Sequence, residues 1–473
     1  MSFWYRSDVC SSNRRANRQK KSYARQGAGA LAILCTLGAV VRAQDVPPGF
    51  VARFDVTQRF EYSDNPDFDE DGSSDFFGRT ILGFGLESVT KVQRFALDLG
   101  TDIEEGREDQ SSVDVTNSFA NLSYDRNTRN ALIGLDLSYR ESDTDSDFFD
   151  DDFDLDGNVI NQDSGTRETY RYGLEWAVGR EAPIGASVNL NYSEINYSDT
   201  TDPDRTDQSD TDIRGQVDFR ITPLITTNLT GRYSDFDAQG NGTNRETTGF
   251  GAGVVLDISR IYSADVSLSY DRIERTGDET GTDEGISIDT GLTRAMPNGS
   301  IGLRFRSDLE TNDNGRRSFL SVEREMELPR GALSYSIGLT GAGDIIGTDP
   351  LLSLDYTESL RTGSLSIGLA QNVNTDNDNN EEINTTFSVG YDQPINRLSG
   401  FGVNFAFRDR NELGDTPNDG QRIDLSLSYR HDLTRDWGLV SGISHASSTE
   451  DNDDDRRRTT IFVGVQRSFN WTP

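Results

Sequence analysis

The stretch from Phe50 to Tyr62, FVARFDVTQRFEY, carries the pattern that the rest of the chain repeats. Phe50, Ala52, Phe54, Val56, Phe60 and Tyr62 fall on one side of it. Arg53, Asp55, Thr57, Arg59 and Glu61 fall on the other. A period of two puts such sets on opposite faces of a β-strand. An acidic connection follows over 63–75, and then a return arm in which Thr80, Leu82, Phe84 and Leu86 oppose Arg79, Gly83, Gly85 and Glu87. The chain turns near Lys91, and the unit of two arms, a long acidic loop and a tight turn begins again.

Only 33% of the 473 residues are hydrophobic, and the net charge is −34. Low hydrophobicity with high charge is the usual mark of disorder, but a disordered chain has no reason to keep a period of two. A soluble sandwich of this length needs a thicker apolar core. A transmembrane barrel needs one apolar face per strand, with a polar lumen and polar loops, and this composition fits it. The acidic balance has the wrong sign for nucleic acid, which excludes that partner.

The same unit recurs to the C-terminus. Long polar connections are expected near 63–75, 103–112, 141–166, 199–211, 236–245, 275–285, 310–317, 341–349, 374–381, 410–420 and 448–457, with short turns between them. Pro183, Pro223, Pro297, Pro329 and Pro394 sit in those turns, where proline fits. The alternation predicts an all-β, transmembrane antiparallel β-barrel of about 22 strands, with about 18–20 as the alternative, short periplasmic turns and long acidic external loops. Tyr62, Tyr139, Tyr192, Tyr233 and Tyr270 precede long loops, while Tyr124, Trp176, Tyr391, Tyr429 and Trp437 border short turns. Two aromatic sets of this kind match two membrane–water interfaces.

Residues 1–43 read as a signal peptide, which leaves residues 44–473 as the outer-membrane β-barrel. Arg14, Arg15, Arg18, Lys20, Lys21 and Arg25 form a basic region, Ala28 to Val41 an apolar one, and Val41-Arg42-Ala43 a cleavage site of the type used in Sec export. Both cysteines, Cys10 and Cys35, lie in that segment, so no thiol chemistry is expected beyond it. With only Gln44 to Gly49 ahead of the first strand, no plug domain is expected. The last strand ends Phe469-Asn470-Trp471 and looks like the signal read by the barrel-assembly machinery, although two residues follow the final aromatic. The expected surroundings are outer-membrane lipid and lipopolysaccharide of a Gram-negative bacterium.

At Phe60-Glu61-Tyr62-Ser63-Asp64-Asn65-Pro66 the chain resembles the first hairpin of the beta-barrel porin 2 family, outer-membrane barrels often found beside exopolysaccharide or exosortase-type systems. The resemblance implies an outer-membrane channel. It names no solute, and it brings no catalytic residues.

On the polar face the alternation places Arg53, Asp55, Arg59, Arg79, Arg94, Asp98, Arg171, Glu175, Arg214, Asp218, Arg220, Arg304, Arg306, Arg408, Arg422 and Arg430 as pore-lining candidates. Charged rows in a water-filled lumen select permeants by charge; the alternative is that they pair across strands and stabilise the wall. The expectation is a porin-like channel for small hydrophilic solutes or for export of a surface polysaccharide. A non-transporting adhesive barrel is the competing class, and an outer-membrane hydrolase the third. Only His431 and His445 could serve a hydrolase, and nothing around them marks a triad, so no enzyme is expected. No cofactor is required. Calcium is the one candidate ion, because Asp152, Asp154, Asp156, Gly157 and Asp163 occupy calcium-loop spacings in the longest loop.

Overall fold

The structure is a computed structural model. It describes residues 49–472 apart from 67, 69–71, 107–112, 144–164, 201–205, 240–241, 278–279, 311–314, 343–348, 376–380, 414–418 and 451–454. Residues 1–48, and with them the expected signal peptide, lie outside the described residues. So do the calcium-loop candidates Asp152, Asp154, Asp156 and Asp163.

The first strands in chain order are β1 (Gly49–Ser63), β2 (Asp75–Val89), β3 (Gln93–Glu105), β4 (Asp114–Asn127), β5 (Ala131–Asp143), β6 (Thr166–Val178) and β7 (Ile184–Ser198). They continue as β8 (Gln208–Thr222), β9 (Ile225–Ala238), β10 (Thr243–Leu256), β11 (Tyr262–Gly277), β12 (Gly281–Met296), β13 (Gly299–Leu309) and β14 (Arg316–Leu328). The remainder are β15 (Gly331–Ala342), β16 (Asp349–Leu360), β17 (Gly363–Thr375), β18 (Glu381–Pro394), β19 (Ser399–Leu413), β20 (Gly420–Asp432), β21 (Trp437–Glu450) and β22 (Arg456–Trp471). Every strand pairs antiparallel with the next, and β22 returns to β1 over Ala52↔Trp471 to Ser63↔Thr460. The result is a closed barrel of 22 strands, which removes every free sheet edge. The alternative of fewer strands is thereby excluded.

Register fixes the two faces. Phe54 lies opposite Phe84, Phe84 opposite Leu99, and the apolar set continues through Leu122, Leu137, Tyr172 and Tyr192. One device keeps this phase across β4. The β3–β4 register shifts between Gly100 and Asp102, near Asn117, whose φ is 53°. An extra residue there lets Val115 and Ala120 share a face although their numbers differ in parity.

The outer face exposes its large apolar side chains, as at Phe250, Ile286 and Phe60. In barrels of this architecture, lipid covers such a band. At the long-loop end, outer aromatics stack across strands, Phe60 on Phe76 and Tyr172 on Tyr192 at 5.7 Å. Just beyond them the outer face turns acidic: the Tyr139 and Tyr192 hydroxyls donate to Glu141 at 3.0 Å and Glu194 at 2.8 Å.

The loops expected over 236–245 and 275–285 are mostly strand. Only 239–242 separate β9 from β10, and only 278–280 separate β11 from β12. Beyond the apolar band neither face needs to be apolar, so the strands continue through polar sequence while their backbone pairing holds, as in Arg245↔Arg275.

The first long connection does not simply leave the wall. Asp64 continues the seam, its amide donating to the Thr459 carbonyl at 3.1 Å. Asn65 Nδ2 donates to the Arg457 carbonyl at 3.0 Å, and Arg458 Nη1 to the Pro66 carbonyl at 3.0 Å. Phe68 is then buried beneath the Arg458 guanidinium, 5.2 Å from ring centroid to cation. The joint between first and last strands is thus clasped from above.

Candidate functional site

The polar face of the sheet is the inner wall, and the register puts all of the pore-lining candidates on it. Toward the long-loop end lie Arg59, Arg79, Arg171, Arg214, Arg306, Arg408 and Arg422. Toward the short-turn end lie Arg53, Asp55, Arg94, Asp98, Glu175, Asp218, Arg220 and Arg430, with Arg304 near mid-height. The two ends have different chemistry.

At the long-loop end the charged groups are paired; Arg408, Arg422 and Asp424 are buried, while Arg214, Arg232 and Arg306 are partly exposed. Arg59 pairs with Glu61; Arg79 reaches Glu61 and Asp102, each at 3.7 Å, and also pairs with Glu104. Arg214 holds Asp212 at 2.9 Å, Arg232 holds Asp271 at 3.4 Å, and Arg306 holds Asp308 at 2.6 Å. The tightest group lies on β19 and β20, where Arg408 and Arg422 stand directly opposite each other. Asp424, wholly buried, answers both, at 3.1 Å from each. Like charges opposed across a sheet repel, and that carboxylate offsets the repulsion.

Phenylalanines interrupt the polar pattern of the inner face, and four of them lie beneath an arginine. Arg59 stacks over Phe462 at 4.9 Å, Arg79 over Phe77 at 5.7 Å, Arg245 over Phe236 at 4.3 Å and Arg306 over Phe319 at 4.4 Å. A planar guanidinium can stack on a ring and still hydrogen-bond at its edge, which an ammonium cannot do as well. Past Lys91 every basic residue other than histidine is arginine. Glycine completes the arrangement at Gly249, where a Cβ would collide with the Asp271 carboxylate that lies across it.

At the short-turn end the inner wall is open. Asp125, Asp136, Glu175, Ser267, Glu323, Glu325 and Asp355 are all exposed. Arginines are few there, and their side chains are engaged. Arg53 pairs with Asp55 at 2.5 Å, Arg94 with Glu87 at 2.9 Å and Arg430 with Asp432 at 3.8 Å. Arg220 donates to backbone carbonyls of the 179–182 turn, 3.1 Å to Gly179. Asp218 accepts from Gln216 Nε2 at 2.7 Å.

The sequence reading missed Glu61, Asp212, Arg232, Arg245, Asp271, Asp424 and Asp289, which pairs with Arg304, as partners. A signal for several of them was present: Arg-x-acid or acid-x-Arg on the polar face, as in Arg53-x-Asp55, Arg59-x-Glu61, Asp212-x-Arg214, Arg306-x-Asp308 and Arg422-x-Asp424. The two histidines are placed apart. His431 Nδ1 lies 2.7 Å from Ser399 Oγ at the short-turn end, and His445 Nδ1 lies 3.1 Å from Thr459 Oγ1 on β21 and β22. Among the described residues no carboxylate bonds the other ring nitrogen of His431.

No family model matches the chain, and no curated protein matches it in sequence. Among solved structures it is similar to the ferric-catecholate import receptor Fiu of E. coli K12 at 8% identity, with a TM-score of 0.53 over 87% of this chain and 81% of that one. A variant of the ferric enterobactin receptor PfeA of Pseudomonas aeruginosa, in complex with enterobactin, is similar at 9% identity, with a TM-score of 0.51 over 88% of this chain and 81% of that one. At this identity the likeness is one of fold. The fold is that of a large outer-membrane-type β-barrel.

Proposed function

We propose that this protein is an outer-membrane channel that passes small hydrophilic solutes. The observation that carries the reading is the contrast of faces around one closed wall: an apolar outer band, and a polar inner wall that is open to water along its short-turn half. A 22-stranded ring encloses far more space than side chains alone fill. The fold likeness to import receptors supports passage across the outer membrane, and their ligands are not carried over. Export of a surface polysaccharide rests on the porin 2 resemblance of the first hairpin and takes the same wall as its path.

The test is conductance. The full chain, refolded and inserted into planar lipid bilayers, is expected to give ohmic current in discrete steps. A barrel that folds, inserts and carries no current would overturn the channel in favour of an adhesive surface barrel.

A further inference from the structure

We infer that the channel is cation-selective, and that the exposed carboxylates of the short-turn half set its selectivity. This rests on the channel reading above. Neither the fold nor the pore-lining residues as a set gives the sign, because the inner wall holds both charges in quantity. The sign comes from sorting those charges by whether they are answered.

In the long-loop half the arginines and carboxylates neutralise one another at short range. Arg408 and Arg422 about Asp424 are buried, and Arg79 is largely covered among Glu61, Asp102 and Glu104. A paired, buried charge projects little field into the water of a lumen. In the short-turn half Arg53, Arg94 and Arg430 each have a carboxylate, and Arg220 is held by a turn. What is left over is acidic. Asp125, Asp136, Glu175, Glu323, Glu325 and Asp355 are exposed and make no ion pair among the described residues.

Their places on the wall spread the effect. Asp125 and Asp136 lie on β4 and β5, and Glu175 lies on β6, opposite Gly134. Glu323 and Glu325 succeed each other on the inner face of β14, opposite Ser336 and Ser334 of β15, and Asp355 on β16 lies opposite Ser334. Small neighbours flank Asp136, Glu323, Glu325 and Asp355, whereas Asp125 lies between Gly134 and Arg94. Among the described residues Glu323 accepts a hydrogen bond from Ser321 at 3.3 Å and Glu325 from Ser300 at 3.2 Å, and Arg304 interacts electrostatically with Glu323 without forming an ion pair. Carboxylate rings favour cations in a pore. In one this wide the field must reach across water, so its range is the Debye length, about 10 Å at 0.1 M salt and about 3 Å at 1 M. The permeants favoured are hydrated metal ions and organic cations, and the preference strengthens as salt falls.

The experiment is the zero-current potential of the full chain in planar bilayers of neutral lipid under a KCl gradient. The expected sign is that of potassium permeating faster than chloride, with a permeability ratio larger near 0.1 M than near 1 M. Neutralising Asp136→Asn, Glu175→Gln, Glu323→Gln and Glu325→Gln together should remove most of the shift. The side chains are exposed and unpaired, so folding should survive, and Glu323→Gln with Glu325→Gln alone should give a smaller loss in the same direction. Glu168→Gln with Glu194→Gln, which removes acid from the outer face, should leave the ratio unchanged. A ratio at or below unity, or one unmoved by the inner substitutions, or moved equally by the outer ones, would overturn the inference while leaving the channel intact. A folded barrel with no current would overturn both.

Discussion

Ile273 and Ser267 lie on the same face of the same strand, β11, yet Ile273 is fully buried and Ser267 is exposed. The same contrast runs around the inner wall. Toward the long loops, Arg245, Arg275, Arg317, Arg422 and Arg458 are buried with their partners; toward the short turns, Glu175, Glu323 and Asp355 are open. One alternation produces both, so the period of two alone cannot account for the difference. Side-chain length and cross-strand register do. Long arginines laid over Phe77, Phe236, Phe319 and Phe462 close over one another, whereas serines and glycines beside a carboxylate leave it in water. A charge taken out of water needs a partner in good geometry; a charge left in water does not. The buried half therefore bears on folding, and the open half on the solute.

The largest effect that would test this contrast is at Asp424. Asp424→Ala leaves Arg408 and Arg422 buried and opposed without the carboxylate between them, and should cost about 3–5 kcal/mol. Asp136→Ala in the open half should stay within about 0.5 kcal/mol. Urea unfolding of the barrel in lipid, followed by tryptophan fluorescence, compares them; equal costs would show that the halves do not differ as described. A smaller effect separates inner from outer wall at one height. Phe84→Arg puts a charge in the lipid-facing band and should cost about 2–4 kcal/mol. Gly83→Ser, on the inner face, should fold nearly as the parent does, since a Cβ there meets only the Asp55 Cβ, at 3.8 Å. Similar losses at both would mean that the strand faces the other way.

Much of this wall was legible in the sequence. Strand phase follows from Phe54 against Arg53 and Asp55, and strand number follows from the rhythm of connections. The strand extensions through Asp237, Arg245 and Arg275 were not legible, because charged residues run on there and alternation carries little signal once lipid is left behind. Phe77, Phe236, Phe319 and Phe462 read as breaks in phase, since nothing local shows that an arginine lies over each. The opposition of Arg408 to Arg422 is a matter of register between strands, set by turn length and closure rather than by composition. At Asn117 counting alone would have flipped the rest of the strand, as a single extra residue exchanges the faces.

The central claim is that the inner wall is sealed at its long-loop end and open at its short-turn end. Beyond residues 1–43 the sequence has no cysteine, so single cysteines report cleanly. Ser267→Cys and Ile273→Cys sit on one face of one strand, and each can be treated with a charged, membrane-impermeant thiol reagent in the folded, lipid-inserted barrel. The account predicts fast labelling at 267 and protection at 273, with both reacting alike once the barrel is unfolded. Equal rates in the folded barrel, or faster labelling at 273, would contradict it.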